Sequence, residues 1–212
     1  MPLNLISIRR LVSAVLYVTI ASSFSIETFA HDKEKHTLPV AKPAAKQAIV
    51  PLPFELGGPF ELTDQNGVRR SNDDFEGRRL LVFFGYARCE SICPVALKSM
   101  LDAVDVLGAD GDKLQPILIT VDPANETPAV LAETLPNFHP RLQGLTGSSE
   151  EIKQVRKLYR INAKQTGATR KGNPIFAHGS FVYLLDKNGK VTTLLPPIFD
   201  GPAMAEKLRP YL

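Results

Sequence analysis

Nine residues constrain the fold of this chain more than any others: Arg79 to Ala87, RLLVFFGYA, a continuous apolar run rich in aromatic side chains. It is too short for an independent helix, and it has the composition of a strand covered on both faces. Past it come two cysteines, Cys89 and Cys93, and then VALKSMLDAVDVLG. That segment spaces Val95, Leu97, Leu101, Val104 and Leu107 on a helical period, with Pro94 suited to the first helical position and Gly108 to the stop. A buried strand therefore runs through a cysteine loop straight into a helix.

The elements around this unit follow from local signals. Asn66-Gly67 lies between two short extended runs and predicts a hairpin, so the domain begins near residue 53. LQPILITVD (114–122) reads as a second buried strand, and Pro128 to Phe138 as a helix that Pro136 cuts short. Ser148-Ser149-Glu150-Glu151 matches a capping box opening a helix that continues to Ile161. Ser180 to Asp186, a Lys187-Asn188-Gly189 turn and Lys190 to Leu195 form a second hairpin, and a short helix follows from Pro202. The order is hairpin, βα, βα, α, hairpin, α. Early crossovers and a late antiparallel pair specify an α/β sandwich around a mixed central sheet, and a thioredoxin-like fold with an additional N-terminal hairpin fits best.

A length of 212 residues suits one domain with appendages, and 44% hydrophobic with 22% charged residues excludes a disordered chain and a polytopic membrane protein. The net charge of +3 arises in residues 1–52, which hold six basic against three acidic side chains, whereas residues 53–212 hold nineteen of each. On that total there is no basic surplus of the kind nucleic-acid binding needs. The Arg9-Arg10 doublet, the apolar stretch Leu11 to Ile20 and the small residues up to Ala30 are ordered as a secretory signal, so residues 1–30 are expected to be a signal peptide or, uncleaved, an anchor. With no cysteine near residue 30, a lipid-anchored start is unsupported. Residues 31–52 read as a flexible linker, and the domain of residues 53–212 is expected to be exported.

Cys89 and Cys93 are the only cysteines. At a helix start they meet unpaired backbone N–H groups and the positive end of the dipole, which favour thiolate, as would Arg88; Glu90 opposes it. Three readings stay open. A structural disulfide would close a five-residue ring worth only about 2 kcal/mol, a redox pair would cycle between dithiol and disulfide, and a soft metal such as Cu(I) would take both sulfurs plus one imidazole. Of the four histidines, His139 lies in a Phe-His-Pro turn, His31 and His36 lie in the linker, and His178 lies on a loop entering the SFVYLLD strand. Asp122-Pro123 ends a strand, where a carboxylate can line a site, yet Asp before Pro more often starts a turn.

Together GGPFELTDQNG, DDFEGRRLLVFFGYARCESICPVAL, TVDPANETPAVLAE, FHPRLQGLTGSSEEIKQVRKLY and HGSFVYLLDKNGKV, in this order across residues 57–191, resemble the SCO/SenC family, proteins involved in assembling the copper centre of cytochrome c oxidase. The resemblance implies a thioredoxin-like fold and a copper site, for Cu(I) or Cu(II), built from Cys89, Cys93 and His178. It implies a metallochaperone rather than an enzyme: copper passes to a cuproprotein such as the copper-site subunit of a respiratory oxidase, or the dithiol reduces that protein's cysteines first. The alternative is a thiol-disulfide oxidoreductase using Cys89 and Cys93 without obligatory copper, drawing on a thiol reductant. Either role is expected in the periplasm, free or attached to the inner membrane. The family loop usually reads Cys-Pro-Asp-x-Cys, whereas here it reads Cys-Glu-Ser-Ile-Cys, which places Glu90 beside the thiols as a charge or an oxygen ligand.

Overall fold

A computed structural model describes residues 55–75 and 77–212. The expected signal and linker lie outside the described residues. The first elements are β1 (Glu61–Asp64) and β2 (Arg69–Ser71), an antiparallel pair turned by Asn66-Gly67. Gly67 takes a φ of 79° there, a conformation a side chain would resist, and Asp64 accepts from the amides of Asn66 and Val68 to close the turn.

Two crossovers build the centre. β3 (Arg79–Gly85) leads to α1 (Ile92–Val106) and returns as β4 (Leu114–Thr120), parallel to β3. β4 leads to α2 (Pro128–Thr134) and returns as β5 (Gln143–Thr146), parallel to β4. Every residue of β4 and all but the first of β3 are buried, which requires cover on both faces. α3 (Ser149–Leu158) carries the complete capping box, Ser148 hydroxyl to the Glu151 amide and Glu151 carboxylate to the Ser148 amide. It ends three residues before the expected Ile161.

After α3 the chain forms a hairpin of its own, β6 (Ala163–Ala168) with β7 (Pro174–His178). Then β8 (Val182–Leu185) pairs antiparallel with β3, β9 (Val191–Leu195) pairs with β8, and α4 (Gly201–Leu208) packs on α1. The seven-stranded sheet runs β2-β1-β5-β4-β3-β8-β9 and is mixed.

Three expectations are corrected. Val95, placed in the buried face of α1, is 53% exposed, because the helix begins at Ile92 and its buried face runs through Cys93, Ala96, Leu97, Met100, Leu101 and Val104. β5 was not expected; at four residues it has no periodicity of its own and exists because β4 and β1 flank it. His178 is the last residue of a strand, not of a loop, and neither β6 nor β7 has a buried face to betray it in sequence.

Candidate metal centre

The carboxyl ends of β3 and β4 lie side by side, Gly85 opposite Thr120, and the loops leaving them meet at the crevice where open α/β sheets place ligands. Because β8 runs antiparallel to β3, with Val182 opposite Phe83, the chain just before β8 arrives at the same end. Topology alone therefore brings His178 to the cysteine loop from eighty-five residues away.

Cys93 Sγ and His178 Nε2 stand 3.4 Å apart. His178 Nδ1 is 2.8 Å from the Gly179 carbonyl oxygen, an acceptor only, so Nδ1 carries the proton and Nε2 presents its lone pair to the sulfur. Burial holds the imidazole below its usual pKa, with the nearby Arg156 charge adding to the effect, which keeps it neutral and ready to ligate. Its ring edge packs on Phe83 and Tyr86, with centroids 6.1 and 6.0 Å away.

The two thiols are pushed apart. Burial works against a Cys89 thiolate, but hydrogen bonds from the Cys93 thiol, the backbone N–H groups of Cys93 and Ser91, and the Tyr86 hydroxyl outweigh it, and the Cys89 pKa falls below the ordinary thiol range. The helpers are hydrogen bonds; Arg88, credited from its place in sequence, is exposed. Cys93 is 1% exposed, and burial drives its pKa up, with the neighbouring Cys89 and the Glu126 carboxylate adding to the rise. The site thus holds one thiolate-prone sulfur, one sulfur that keeps its proton, and one unprotonated imidazole nitrogen. Two sulfurs and a nitrogen are a soft donor set. Among the described residues no three His, Cys, Asp or Glu side chains already stand close enough to hold a metal ion together, so a metal would have to draw this set inward.

Two residues the sequence did not single out build the site. Tyr86, the first residue after β3, is buried, and its pKa is pushed up to about 12 by burial and by Cys89. Its hydroxyl accepts from the Phe176 amide of β7 at 3.4 Å while bonding Cys89, so one phenol links hairpin and cysteine loop. Glu126 is 1% exposed, and its Oε1 accepts from the amides of Ala87 and Arg88 at 2.6 and 3.3 Å while Oε2 accepts from the Thr120 hydroxyl at 2.6 Å. Burial raises its pKa. The signal for Glu126 was an acid within a few residues of a fully buried strand end, in the same stretch as Asp122.

The other candidates fall elsewhere. Asp122 starts a turn: its carbonyl accepts from the Asn125 and Glu126 amides and its carboxylate binds the Asn125 side chain. His139 sits 3.2 Å from Asp105, twelve residues along α1 from Cys93, or about 18 Å of helix. His31 and His36 lie outside the described residues.

Known proteins resemble this chain in sequence and in fold. The sequence profile of the SCO1/SenC family matches residues 51–212. A SCO2-like protein of Rickettsia felis is 40% identical over 151 residues, 70% of this chain and 74% of its own. Among solved structures, Bradyrhizobium japonicum ScoI with copper bound superposes with a TM-score of 0.67 at 36% identity, covering 74% of this chain and 99% of its own. BsSco, a member of the Sco family of cytochrome c oxidase assembly proteins with an identified disulfide switch, gives 0.60 at 26% identity over 76% of this chain and 94% of its own. With a thioredoxin-like sandwich in place and a family match that runs through every described element, the chain is a member of the SCO1/SenC family.

Proposed function

We propose that this chain is an exported metallochaperone that binds copper through Cys89, Cys93 and His178 and either delivers it to the copper site of a respiratory cytochrome c oxidase or reduces that site's cysteines beforehand. The observation that carries the reading is the His178 imidazole, held neutral with Nε2 toward Cys93 at 3.4 Å and Nδ1–H committed to Gly179. An imidazole fixed in that tautomer is how proteins orient a metal-binding histidine, and a disulfide has no use for it. The copper-bound ScoI structure and the assembly role of the Sco family support the cargo and the destination. The N-terminal sequence supports export to the periplasm, with the inner membrane as a site of attachment.

Copper is cargo here, so the site must release it. Cys89 is the ready ligand; Cys93 must surrender its proton to bind, and the cost of doing so in a buried position keeps the site from holding metal irreversibly. Transfer proceeds as ligand exchange, the target's sulfurs replacing these one at a time.

The same thiol asymmetry favours a second reading, a thiol-disulfide oxidoreductase in which Cys89 attacks and Cys93 resolves. The test is anaerobic titration of the full, reduced chain with Cu(I) against a competing chelator, beside His178→Ala and Cys93→Ser. Losing an outer partner of a metal ligand costs roughly 10–100-fold in affinity, so losing His178 itself should cost at least that. Competitive binding that ignores His178, or is missing while the dithiol exchanges readily with disulfides, decides for the oxidoreductase.

A further inference from the structure

The balanced charge of the domain conceals a division. From Ile152 to Phe181 the chain has seven basic side chains and no acidic one, while the rest of residues 53–212 has twelve basic against nineteen acidic. The positive stretch is most of α3 together with the β6–β7 hairpin, whose last residue is His178.

Of the twelve cations elsewhere, seven face a carboxylate: Arg69, Arg70, Lys98, Lys113, Arg141 and Lys190 lie 2.6 to 3.3 Å from one, and Arg209 lies 3.9 Å from Asp110. Lys157, Lys164, Arg170 and Lys171 are exposed and, among the described residues, have no carboxylate partner. Their placement is ordered. Lys164 pairs in register with Ala177, one step from the Ala163–His178 pair. Arg170 and Lys171 occupy the turn, which Thr169 and Asn173 close with a 2.7 Å backbone bond. At about 3.3 Å per strand residue the charge extends from the imidazole outward for roughly 16 Å. Beside the thiols, on the first turn of α1, the surface is instead apolar, with Ile92 and Val95 at 38% and 53% exposure. A small apolar centre with a charged rim is the anatomy of a transient protein interface.

We propose that the β6–β7 hairpin is a docking arm for an acidic protein face: the partner that exchanges copper with this chain carries carboxylates around its own ligands, and the arm draws that face over Cys89, Cys93 and His178. This rests on the copper reading for the identity of the partner. A lipid surface fits less well. The chain has no Trp, and Ile175 is the one large exposed hydrophobic on the two strands, which leaves little to insert. The negative remainder of the domain would repel an extended anionic sheet or polymer while sparing a compact acidic patch that meets the arm alone.

The test compares the full chain with Lys164→Glu/Arg170→Glu/Lys171→Glu and with a charge-matched control, Lys113→Glu/Lys187→Glu/Lys207→Glu. The probe is the reduced apo copper-site domain of a cytochrome c oxidase, with association measured first without copper and transfer of Cu(I) second, each from low to high salt. Electrostatic steering is worth roughly 10–10³-fold in on-rate, so the arm variant should associate at least tenfold more slowly at low salt, lose most of its salt dependence and keep its copper affinity. The control should stay within about twofold. Equal association rates for the arm variant and the unaltered chain would overturn the proposal, and so would arm-dependent binding to phosphatidylglycerol vesicles with no arm-dependent binding to the domain. If the unaltered chain fails to compete for copper, the copper reading falls by itself and the copper-free association data still decide the arm.

Discussion

At the site, single side chains do work that neither cysteine does alone. Tyr86 lowers the Cys89 pKa by bonding its sulfur, and the phenol that remains pays with its own raised pKa. Tyr86→Phe keeps the ring packing and removes the bond, so the midpoint of thiolate formation, followed by ultraviolet absorbance against pH, should move upward; an unmoved midpoint would mean the backbone amides suffice. Glu126 acts on the backbone. Glu126→Ala strands two amides and a hydroxyl, and at roughly 1–3 kcal/mol for each buried group left without a partner, a loss of about 3 kcal/mol is expected in urea unfolding. Glu126→Gln retains an oxygen for the amides and an N–H for Thr120 and should cost about 1 kcal/mol or less; equal losses in both variants would show that the bonds are not what matters. Cys89 and Cys93 stood out in sequence because few residue types do this chemistry, whereas His178 joined them as a candidate only through the family resemblance. Tyr86 and Glu126 were not singled out, because their roles depend on two loops meeting; an acid close to a buried strand end was the one local hint of Glu126, and no such hint marked Tyr86.

Among the elements, α1 is the one the site depends on. Its N-cap residue, Ser91, makes no side-chain capping bond, yet the Ser91 and Cys93 amides bond the Cys89 sulfur. A sulfur that serves these two amides would take the place of the missing cap. Cys89→Ala should cost about 1 kcal/mol through the lost cap, apart from any metal chemistry, and hydrogen exchange should quicken at Cys93 and its neighbours while the far end of α1 is unchanged. Cys89→Ser should restore part of that protection; if the alanine variant exchanges like the parent, the sulfur is no cap. β3 and β4 could be read from sequence because burial on both faces leaves long apolar runs, and α1 because its buried residues recur at a helical spacing. β6 and β7 could not. Their residues are mostly exposed, and the hairpin is held by tertiary bonds instead, Phe176 to Tyr86 and Arg156 to the Ala163 carbonyl, both at the end that carries His178.

For the molecule as a whole, the mixed sheet followed from the order of crossovers and hairpins, but the order of its strands did not, and with it went the buried acids that join distant segments. Two of them give the domain opposing responses to pH. Asp64, with a fully buried side chain, is opposed by burial, but its bonds from Arg70, Val68 and Asn66 prevail and depress its pKa. Its stabilising contribution is present above the unfolded value of about 3.9 and is lost as the pH falls through the folded one. Glu126 runs the other way. Burial raises its pKa, so the folded chain holds the proton more tightly than the unfolded chain, and the contribution is full below about pH 4.3 and lost as the pH rises through the folded value. Glutamine at 126 does not titrate. Between pH 4 and 8, then, the unfolding free energy of the parent minus that of Glu126→Gln should decline with rising pH and flatten once Glu126 is ionised, as read from urea curves at fixed ionic strength. A difference that stays flat would place the folded pKa at its unfolded value, and one that rises would mean that the amides of Ala87 and Arg88 and the Thr120 hydroxyl overcome burial and hold the carboxylate charged.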